Sequence, residues 1–509
     1  MTDTSCLGDV SKHATLAAAP PAFGPYEITH DGRTWHGNVA LKEHRLVERD
    51  GEHCLFLVEE MTARPVGAAL AKAIADLTPG FSTLVPDSLM QALRGCGLVD
   101  KDEQAAEAEA NDECPSAPAP FAVTSIALFL TQTCNLRCVY CYGEGGEYGE
   151  RGTMDEQTAL AAVDWLLANC SDARTVHVGL FGGEPLLDFP LLRRVVAYAR
   201  EQAAARGKEV RFGMTTNATL LTDAIIAYLA EERIEPLVSF DGPPDVHDRQ
   251  RPFRNGRGSH ARVLAGAQKL RAALPKLSGR ATVCAGSDPF AVRRGMEEAG
   301  FTTCLLTPAS PVVPHETGAA GAAGADAGTA ERRQAAAELM LAYRRAETAE
   351  LLAAVRERRL DAAATPMARA LLASLAAGRR RHAGCGLGRG MRAVAVNGDI
   401  YPCHRFVGHE ESRLGHLSEY RAGAINDYHR AVVENLPVCR SCWARYLCGG
   451  GCFYDNLARS GDMHRPDPLF CREMQTVCED LIAGWCRLTE DEQAYVRAQT
   501  AEMDDTPLP

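Results

Sequence analysis

The chain has 509 residues, too many for one compact core, so we expect three or more domains. With 46% hydrophobic and 24% charged residues it has the composition of a folded protein, which excludes disorder along most of its length. The formal net charge of -12 excludes the basic surface that binds nucleic acid or anionic membranes, so we expect neither partner.

Apolar residues are spread along the chain without an uninterrupted run of eighteen or more. The first residues, MTDTSCLGDVSKHA, also lack the basic and apolar segments of a secretion signal. We therefore expect a cytoplasmic protein. Because cytosolic thiols stay reduced, the 19 cysteines predict metal ligands or catalytic groups rather than disulfides.

Residues 1–24 are expected to form a flexible N-terminus, and residues 25–105 a small α+β module. Strand-like pieces punctuated by turns come first in this module, and helical pieces such as PVGAALAKAIADL follow. This order is compatible with a winged-helix-like fold. The acidic, Ala-rich and Pro-rich stretch at 106–120 predicts a linker.

Residues 121–310 alternate short apolar runs with amphipathic, helix-like segments. The predicted strands lie at 124–131, 175–181, 210–216, 236–240, 280–286 and 302–307. Successive strand-helix units predict an α/β fold with a parallel sheet, which a partial (β/α)6 TIM-like barrel would contain. In such sheets functional residues gather at the carboxyl ends of the strands.

Cys134, Cys138 and Cys141 directly follow the first predicted strand, with the spacing C-x3-C-x2-C. Three thiolates in one loop suit an iron-sulfur cluster, which normally takes four ligands. One iron is then left open and can bind a second molecule. A structural zinc site is the alternative interpretation.

The next three strand ends also carry polar or glycine residues. At the second, in LFGGEPLL, the glycines allow a close backbone approach and the carboxylate can accept from an ammonium group. At the third and fourth, the polar side chains either face the same rim or cap the helices that follow. These residues are Gly182, Gly183, Glu184, Thr216, Asn217, Ser239 and Asp241.

Together these motifs resemble those of the radical S-adenosylmethionine (SAM) superfamily. The resemblance implies that the cysteine triplet holds a [4Fe-4S] cluster whose open iron binds SAM. One electron, supplied by a donor such as flavodoxin or ferredoxin, would then release a 5'-deoxyadenosyl radical that abstracts hydrogen from the substrate. The implied SAM contacts are Tyr140, Gly182, Gly183, Glu184, Asn217 and Ser239. Asp241 is a candidate catalytic residue of the same pocket.

An Ala-rich linker and helical region is expected at 311–384, a cysteine-rich domain at 385–486 and a tail at 487–509. The cysteine-rich domain contains the spacings C-x12-G-x4-C and C-x2-C-x5-C-x3-C and a further cysteine. Such spacings are typical of metal-ligand frameworks, although C-x2-C alone would suit a zinc ribbon. Cys478 and Cys486 lie on a predicted terminal helix, where buried free thiols are expected.

The whole pattern resembles the SPASM domain, which holds two auxiliary [4Fe-4S] clusters in radical SAM enzymes. The resemblance assigns one cluster to Cys439, Cys442, Cys448 and Cys471, and the other to Cys385, Cys403 and Cys452. RRRHAG stands where some members supply a further cysteine, so the second cluster has an open iron or an unidentified ligand. An open iron could bind a substrate thiolate, whereas a closed cluster would only relay an electron.

GDIYPCHRFVG and CWARYLCGGGC are most similar to the thioether-forming peptide maturases, among them the maturases of Cys-rich peptides and of quinohemoprotein amine dehydrogenase. The resemblance implies an enzyme that joins cysteine sulfur to carbon within a Cys-containing peptide or small subunit. The N-terminal module would bind the leader of that substrate as an added strand, or would serve as a structural cap.

Three alternative functions stay open. A sulfatase-maturase-like enzyme would oxidise Cys or Ser to formylglycine, but the aspartate usual after the cysteine matching Cys403 is His404 here. His404 is then a candidate base or a donor to the cluster. The second alternative is carbon-carbon crosslinking of a peptide, and the third is a non-catalytic zinc-binding protein.

Overall fold

The computed structural model describes residues 26–30, 33–37, 39, 41–77, 85–99, 122–274, 276–313, 327–360, 366–425, 428 and 431–501. The expected flexible N-terminus at 1–24 and the linker at 106–120 lie outside these ranges.

The N-terminal module has two antiparallel sheets, with strand orders β1-β2-β6 and β3-β4-β5. Its elements are β1 (Tyr26–His30), β2 (Arg33–Gly37), β3 (His44–Arg49), β4 (Glu52–Leu57), β5 (Thr62–Val66), α1 (Ala68–Asp76), β6 (Val85–Pro86) and α2 (Asp87–Gly95). Leu55, Leu57, Ile74 and Leu93 form its small core. The α+β content agrees with the prediction, and the winged-helix identity stays a prediction.

Residues 125–308 form the parallel sheet and its covering helices, and confirm the predicted α/β fold. The strands are β7 (Ser125–Thr131), β8 (Thr175–Gly182), β9 (Glu209–Thr216), β10 (Ile234–Ser239), β11 (Ser278–Val283) and β12 (Thr303–Pro308). The helices are α3 (Glu156–Asn169), α4 (Phe189–Ala205), α5 (Asp223–Glu231), α6 (Pro244–Gln250), α7 (His260–Ala273) and α8 (Pro289–Glu298). Each strand pairs in parallel with the next one in sequence.

Local sequence explains why these segments adopt their structures. β8 and β9 alternate buried with more exposed residues, as expected for strands whose two faces meet different environments. Asp155 starts α3 by accepting from the Thr158 amide at 2.8 Å, and Thr222 starts α5 in the same way. These caps fix where the helices begin, and the loops between strand ends and helices, the long one from β7 to α3 among them, form the site.

The C-terminal part completes the sheet and adds helices. Its elements are α9 (Ala327–Arg356), α10 (Pro366–Ala376), β13 (Met391–Val394), β14 (Asp399–Tyr401), β15 (Gly415–His416), β16 (Glu419–Tyr420), α11 (Arg445–Cys448), α12 (Phe453–Ser460), α13 (Pro468–Cys486) and α14 (Glu490–Thr500). β13 pairs in parallel with β7, and β14–β16 extend the sheet with antiparallel pairing. The cysteine-rich domain is thus joined to the barrel by continuous hydrogen bonding.

The expected tail at 487–509 contains helix α14, which corrects that expectation for its described residues. Thr489 and Glu492 form a capping box, in which each side chain satisfies the other residue's backbone amide. The helix packs on α9 and α10. The capping signature T-x-x-E is present in the sequence, and would have predicted the start of this helix.

The N-terminal module packs on the cysteine-rich domain, with β3–β5 against helix α13. Arg45 and Arg49 of β3 pair with Glu479 and Asp480 of that helix at 2.5–2.9 Å. In the described part of the chain, every helix is too short or too polar to span a bilayer.

Candidate active site

The three cysteines after β7 lie in a loop whose backbone is fixed from several sides. Gln132, at the start of the loop, donates to the carbonyls of Glu147 and Glu150 and accepts from the amide of Val396. Arg254 donates to the carbonyl of Cys134 at 2.6 Å. These hydrogen bonds together fix the shape of the loop.

Cys134, Cys138 and Cys141 are half-buried and line one cavity. Burial raises the pKa of Cys134 to about 12 and that of Cys138 to about 11, so both are thiols at neutral pH. Binding to iron would displace these protons. In the described residues no three Cys, His, Asp or Glu side chains converge on a single metal ion. A four-iron cluster has a different requirement, because each of its ligands binds a separate iron.

Glycines bring the loop after β8 against the cysteine loop. A Cβ atom on Gly183 would lie 2.2 Å from the carbonyl oxygen of Thr133, and one on Gly182 2.2 Å from that of Thr131. Gly146, with φ of +89°, faces both Cys134 and Gly183. The close backbone approach expected of the GGE motif is therefore present, and its partner is the cysteine loop.

Glu184 is buried beside this contact, with 1% of its surface exposed. Its carboxylate accepts from the Asn217 amide at 2.7 Å, the Thr216 hydroxyl at 2.8 Å and the Leu186 amide at 3.2 Å. Burial raises the pKa of Glu184 to about 7 although these hydrogen bonds favour the charged form. Arg251 is near enough to oppose this rise in pKa, but Glu184 forms no ion pair with a described residue, which suits a ligand that brings a cation.

Asn217 lines the cavity and donates to the side chain of Asn135 at 2.8 Å, with the Cys134 sulfur 3.8 Å away. Helix α5 begins six residues later and is capped by Thr222, so the alternative that Asn217 caps a helix is wrong. Ser239 also lines the cavity.

Asp241 is fully buried and is absent from the cavity lining. Its carboxylate accepts from the Tyr140 hydroxyl at 2.7 Å, the Gln250 amide at 2.9 Å and the Thr282 backbone at 3.1 Å. It does not cap α6, whose N-cap residue is Pro243. These contacts suit a residue that positions Tyr140, and the catalytic assignment of Asp241 stays a prediction that the geometry does not favour.

Arg251 belongs to this network and was not identified from the sequence. It donates to the Tyr140 hydroxyl, and its buried Nε has no hydrogen-bond partner among the described residues. Arg251 also lines the cavity beside the cysteine loop. An unsatisfied cationic donor there fits the carboxylate of an amino-acid ligand such as SAM. No sequence pattern pointed to Arg251, because it follows the short helix α6 and lies away from any strand end.

The cavity has a volume of about 450 Å³ and lies between the barrel strands and the cysteine-rich domain. The barrel contributes the cysteine loop, Glu184, Asn217, Ser239 and Arg280. The cysteine-rich domain contributes His404, Arg405 and Cys452 to the opposite wall. The Arg280 carbonyl accepts from the Phe240 amide, whereas its guanidinium has no hydrogen bond or ion pair with a described residue and is available to an anion.

The later cysteines fall into the two groups that the resemblance assigned. Cys439, Cys442, Cys448 and Cys471 lie close enough for their thiolate charges to repel one another. The same holds for Cys385, Cys403 and Cys452. Cys452 borders the cavity, so the three-cysteine group is the one next to the barrel. Cys478 lies on helix α13, where it is buried beside Cys442 and Cys448.

His404 lies in the cavity wall with its Nδ1 atom 3.7 Å from the Cys403 sulfur and its ring 5.0 Å from that of Phe181. Burial and the nearby Arg280 and Arg405 lower the pKa of His404 to about 3, so the imidazole is neutral at pH 7. This makes it a weak proton acceptor and favours the alternative role beside the cluster ligand. The assignment as base stays a prediction.

Residues 128–286 match the family model of the Radical SAM superfamily. That segment is therefore similar to the domain that defines this superfamily. It contains the cysteine loop, Glu184, Asn217, Ser239 and Arg251.

Curated relatives resemble part of this chain. An uncharacterized protein of Methanocaldococcus jannaschii is 33% identical over 146 residues, which are 29% of this chain and 48% of that protein. A serine-type anaerobic sulfatase-maturating enzyme of Bacteroides thetaiotaomicron is 32% identical over 27% of this chain and 34% of its own length. The chain thus spans about half or less of these two relatives.

A solved structure described as native anSMEcpe with bound AdoMet and Cp18Cys peptide has a TM-score of 0.55 and 17% identity to this chain. The match covers 69% of this chain and 95% of the other. At this identity the likeness shows the shared fold.

Proposed function

We propose that this chain is a radical SAM enzyme that forms thioether bonds in a Cys-containing peptide or small protein subunit. The observation that carries the proposal is the cavity of about 450 Å³, which borders the cysteine loop on one wall and Cys452 with His404 on the other. A substrate in this cavity would contact a site that starts radical chemistry and a second iron site that can bind sulfur.

The residues present fit both implied groups. Cys134, Cys138 and Cys141 would hold the first [4Fe-4S] cluster and leave one iron to SAM, while the two later groups would hold auxiliary clusters. When bound, these groups would supply a SAM-derived radical that takes a hydrogen atom, and an iron site that binds a thiolate and accepts an electron.

The side chains around the cysteine loop would hold SAM by its charges. Glu184 would accept from the SAM ammonium group, and the free Nε of Arg251 would donate to its carboxylate. Tyr140 is held by Asp241 and Arg251 at the cavity wall, where it would limit the space left for the adenine. These contacts would orient SAM before the substrate arrives.

The remaining predictions on partners belong to the same proposal. The N-terminal module would bind the leader segment of the substrate, because its sheets offer strand edges for an added strand. A reducing protein such as flavodoxin or ferredoxin would supply the electron, and the enzyme would act in the cytoplasm.

A second candidate is oxidation of a Ser or Cys side chain in a protein to formylglycine. The similarity to serine-type sulfatase-maturating enzymes favours it. His404, in place of the aspartate usual after the cysteine matching Cys403, argues against it.

Mass spectrometry of a candidate Cys-containing peptide, co-expressed with the enzyme, separates the two candidates. A thioether removes two hydrogens per crosslink and leaves the cysteine unable to react with iodoacetamide. An aldehyde that reacts with a hydrazide probe would show formylglycine formation instead; all cysteines then stay alkylatable if a Ser is oxidised, and the oxidised residue alone loses its thiol if a Cys is.

A further inference from the structure

Arg405 contacts both halves of the cavity wall. Its guanidinium carbon lies 4.3 Å from the ring centre of Tyr454 and 5.1 Å from that of Tyr142, the residue after Cys141. Its Nη1 atom lies 3.5 Å from the Cys452 sulfur. One cationic side chain therefore joins the loop of the first cysteine group to a cysteine of the group next to the barrel.

Asp455 holds the guanidinium in this position. Its carboxylate accepts from Nη1 of Arg405 at 2.9 Å and from the hydroxyl of Ser310. The Tyr454 hydroxyl is in turn bound by the amide of Val313 at 3.3 Å. Only 13% of the Arg405 side chain is exposed, so water screens its charge weakly.

A donor at this sulfur matters for electron transfer. Forming a thioether removes two hydrogens: one leaves as an atom to the 5'-deoxyadenosyl group, the other leaves as a proton, and one electron remains. A hydrogen bond from a cation to a ligating sulfur stabilises the reduced, more negative form of an iron-sulfur cluster. The cluster then accepts that electron more readily.

We propose that Arg405 is a positioning residue that sets the reduction potential of the cluster on Cys385, Cys403 and Cys452. Asp455 and the two tyrosine rings fix its guanidinium against the Cys452 sulfur, which makes this cluster the acceptor of the substrate electron. The inference rests on the proposed function, because it requires a cluster at these three cysteines.

The test is an anaerobic redox titration of the reconstituted full-length protein, followed by electron paramagnetic resonance. We expect Arg405→Gln to shift the midpoint potential of one cluster to a more negative value, and Arg405→Lys to shift it less because the charge is kept. The affected signal should be absent from Cys403→Ala. Arg413→Gln is the matched control, since Arg413 pairs with Asp399 and Glu410 in the same domain.

An unchanged midpoint potential in Arg405→Gln, with iron content equal to wild type, would overturn the inference alone. If Arg405→Gln loses iron, Asp455→Asn decides, because it removes the carboxylate that holds the guanidinium at the Cys452 sulfur; a midpoint potential equal to that of wild type in this variant would have the same meaning. If the wild-type protein contains only enough iron for one four-iron cluster, the auxiliary clusters are absent and the proposed function is contradicted instead.

Discussion

The protonation state of the Glu184 carboxyl affects how tightly a cationic group of a ligand binds beside the cysteine loop. Its pKa of about 7 means that the carboxyl is ionised above neutral pH and protonated below it. A SAM ammonium group pairs with the ionised form. We therefore expect the SAM dissociation constant to rise as pH falls below about 7, approaching about tenfold per pH unit.

Equilibrium dialysis of SAM with the reconstituted enzyme between about pH 8 and about pH 6 measures this dependence. Glu184→Gln should bind SAM more weakly at high pH and lose the dependence. Glu209→Gln, which changes an exposed carboxylate at the start of β9, should keep it. The same pH profile in wild type and Glu184→Gln would contradict the assignment.

A single substitution tests whether Cys138 is a cluster ligand and not a cysteine with a structural role. Cys138→Ala removes one ligand of the first cluster, so we expect 5'-deoxyadenosine formation with dithionite and SAM to fall to background. Cys170→Ala, at the buried end of α3, should retain this activity. Retained SAM cleavage in Cys138→Ala would show that the loop does not hold the reactive cluster.

At the scale of elements, the contact between the loop after β8 and the cysteine loop depends on the absence of side chains. Gly183→Ala would place a Cβ atom 2.2 Å from the Thr133 carbonyl oxygen, so the two loops must separate. We expect at least a tenfold loss of SAM affinity, measured by the same dialysis, since about 1.4 kcal/mol suffices for that factor.

Gly179→Ala is the matched control on the same strand, because its Cβ atom would meet the nearest atom at an ordinary 3.5 Å. This variant should bind SAM as wild type does. Equal affinities for the Gly179 and Gly183 variants would mean that the close approach does not shape the site.

Sequence reasoning succeeded for the elements that a periodic pattern of apolar residues specifies. The strands of the parallel sheet were predicted within a few residues, because their apolar runs alternate with amphipathic helices. Glu184 and Asn217 line the cavity beyond their strand ends, and their role in binding SAM stays a prediction. Arg251 follows a short helix, and Arg405 is one basic residue among many in its domain. Their roles depend on contacts distant in the chain, which no local pattern records.

On the scale of the whole molecule, Arg445 ties the N-terminal module to the cysteine-rich domain. Its side chain is 5% exposed and pairs with Glu43 and Glu59, which are 42% and 43% exposed. Arg445→Met removes the cation paired with Glu43 and leaves Glu59 with Arg380 alone, and we expect a loss of about 1–3 kcal/mol. The thermal midpoint should fall, whereas that of Arg465→Met, a change at an exposed residue, should not.

Iron content tests the cofactor assignment as a whole. Three four-iron clusters predict about twelve irons per reconstituted chain. Cys403→Ala should lose about four of them, and so should Cys439→Ala, because these residues belong to different groups. Colorimetric iron and sulfide analysis gives the counts. Loss of all later clusters in either single variant would contradict two independent sites.

Helix α13 holds Cys471 in its first turn and supports β3–β5 of the N-terminal module along its length. Iron bound at Cys471 would order the beginning of the same helix on which the module packs. Thermodynamic linkage then requires reciprocity: if cluster insertion tightens docking of the module, docking must strengthen retention of the cluster by an equal free energy. Docking of the N-terminal module would thereby help to retain a cluster whose ligands all lie in the cysteine-rich domain.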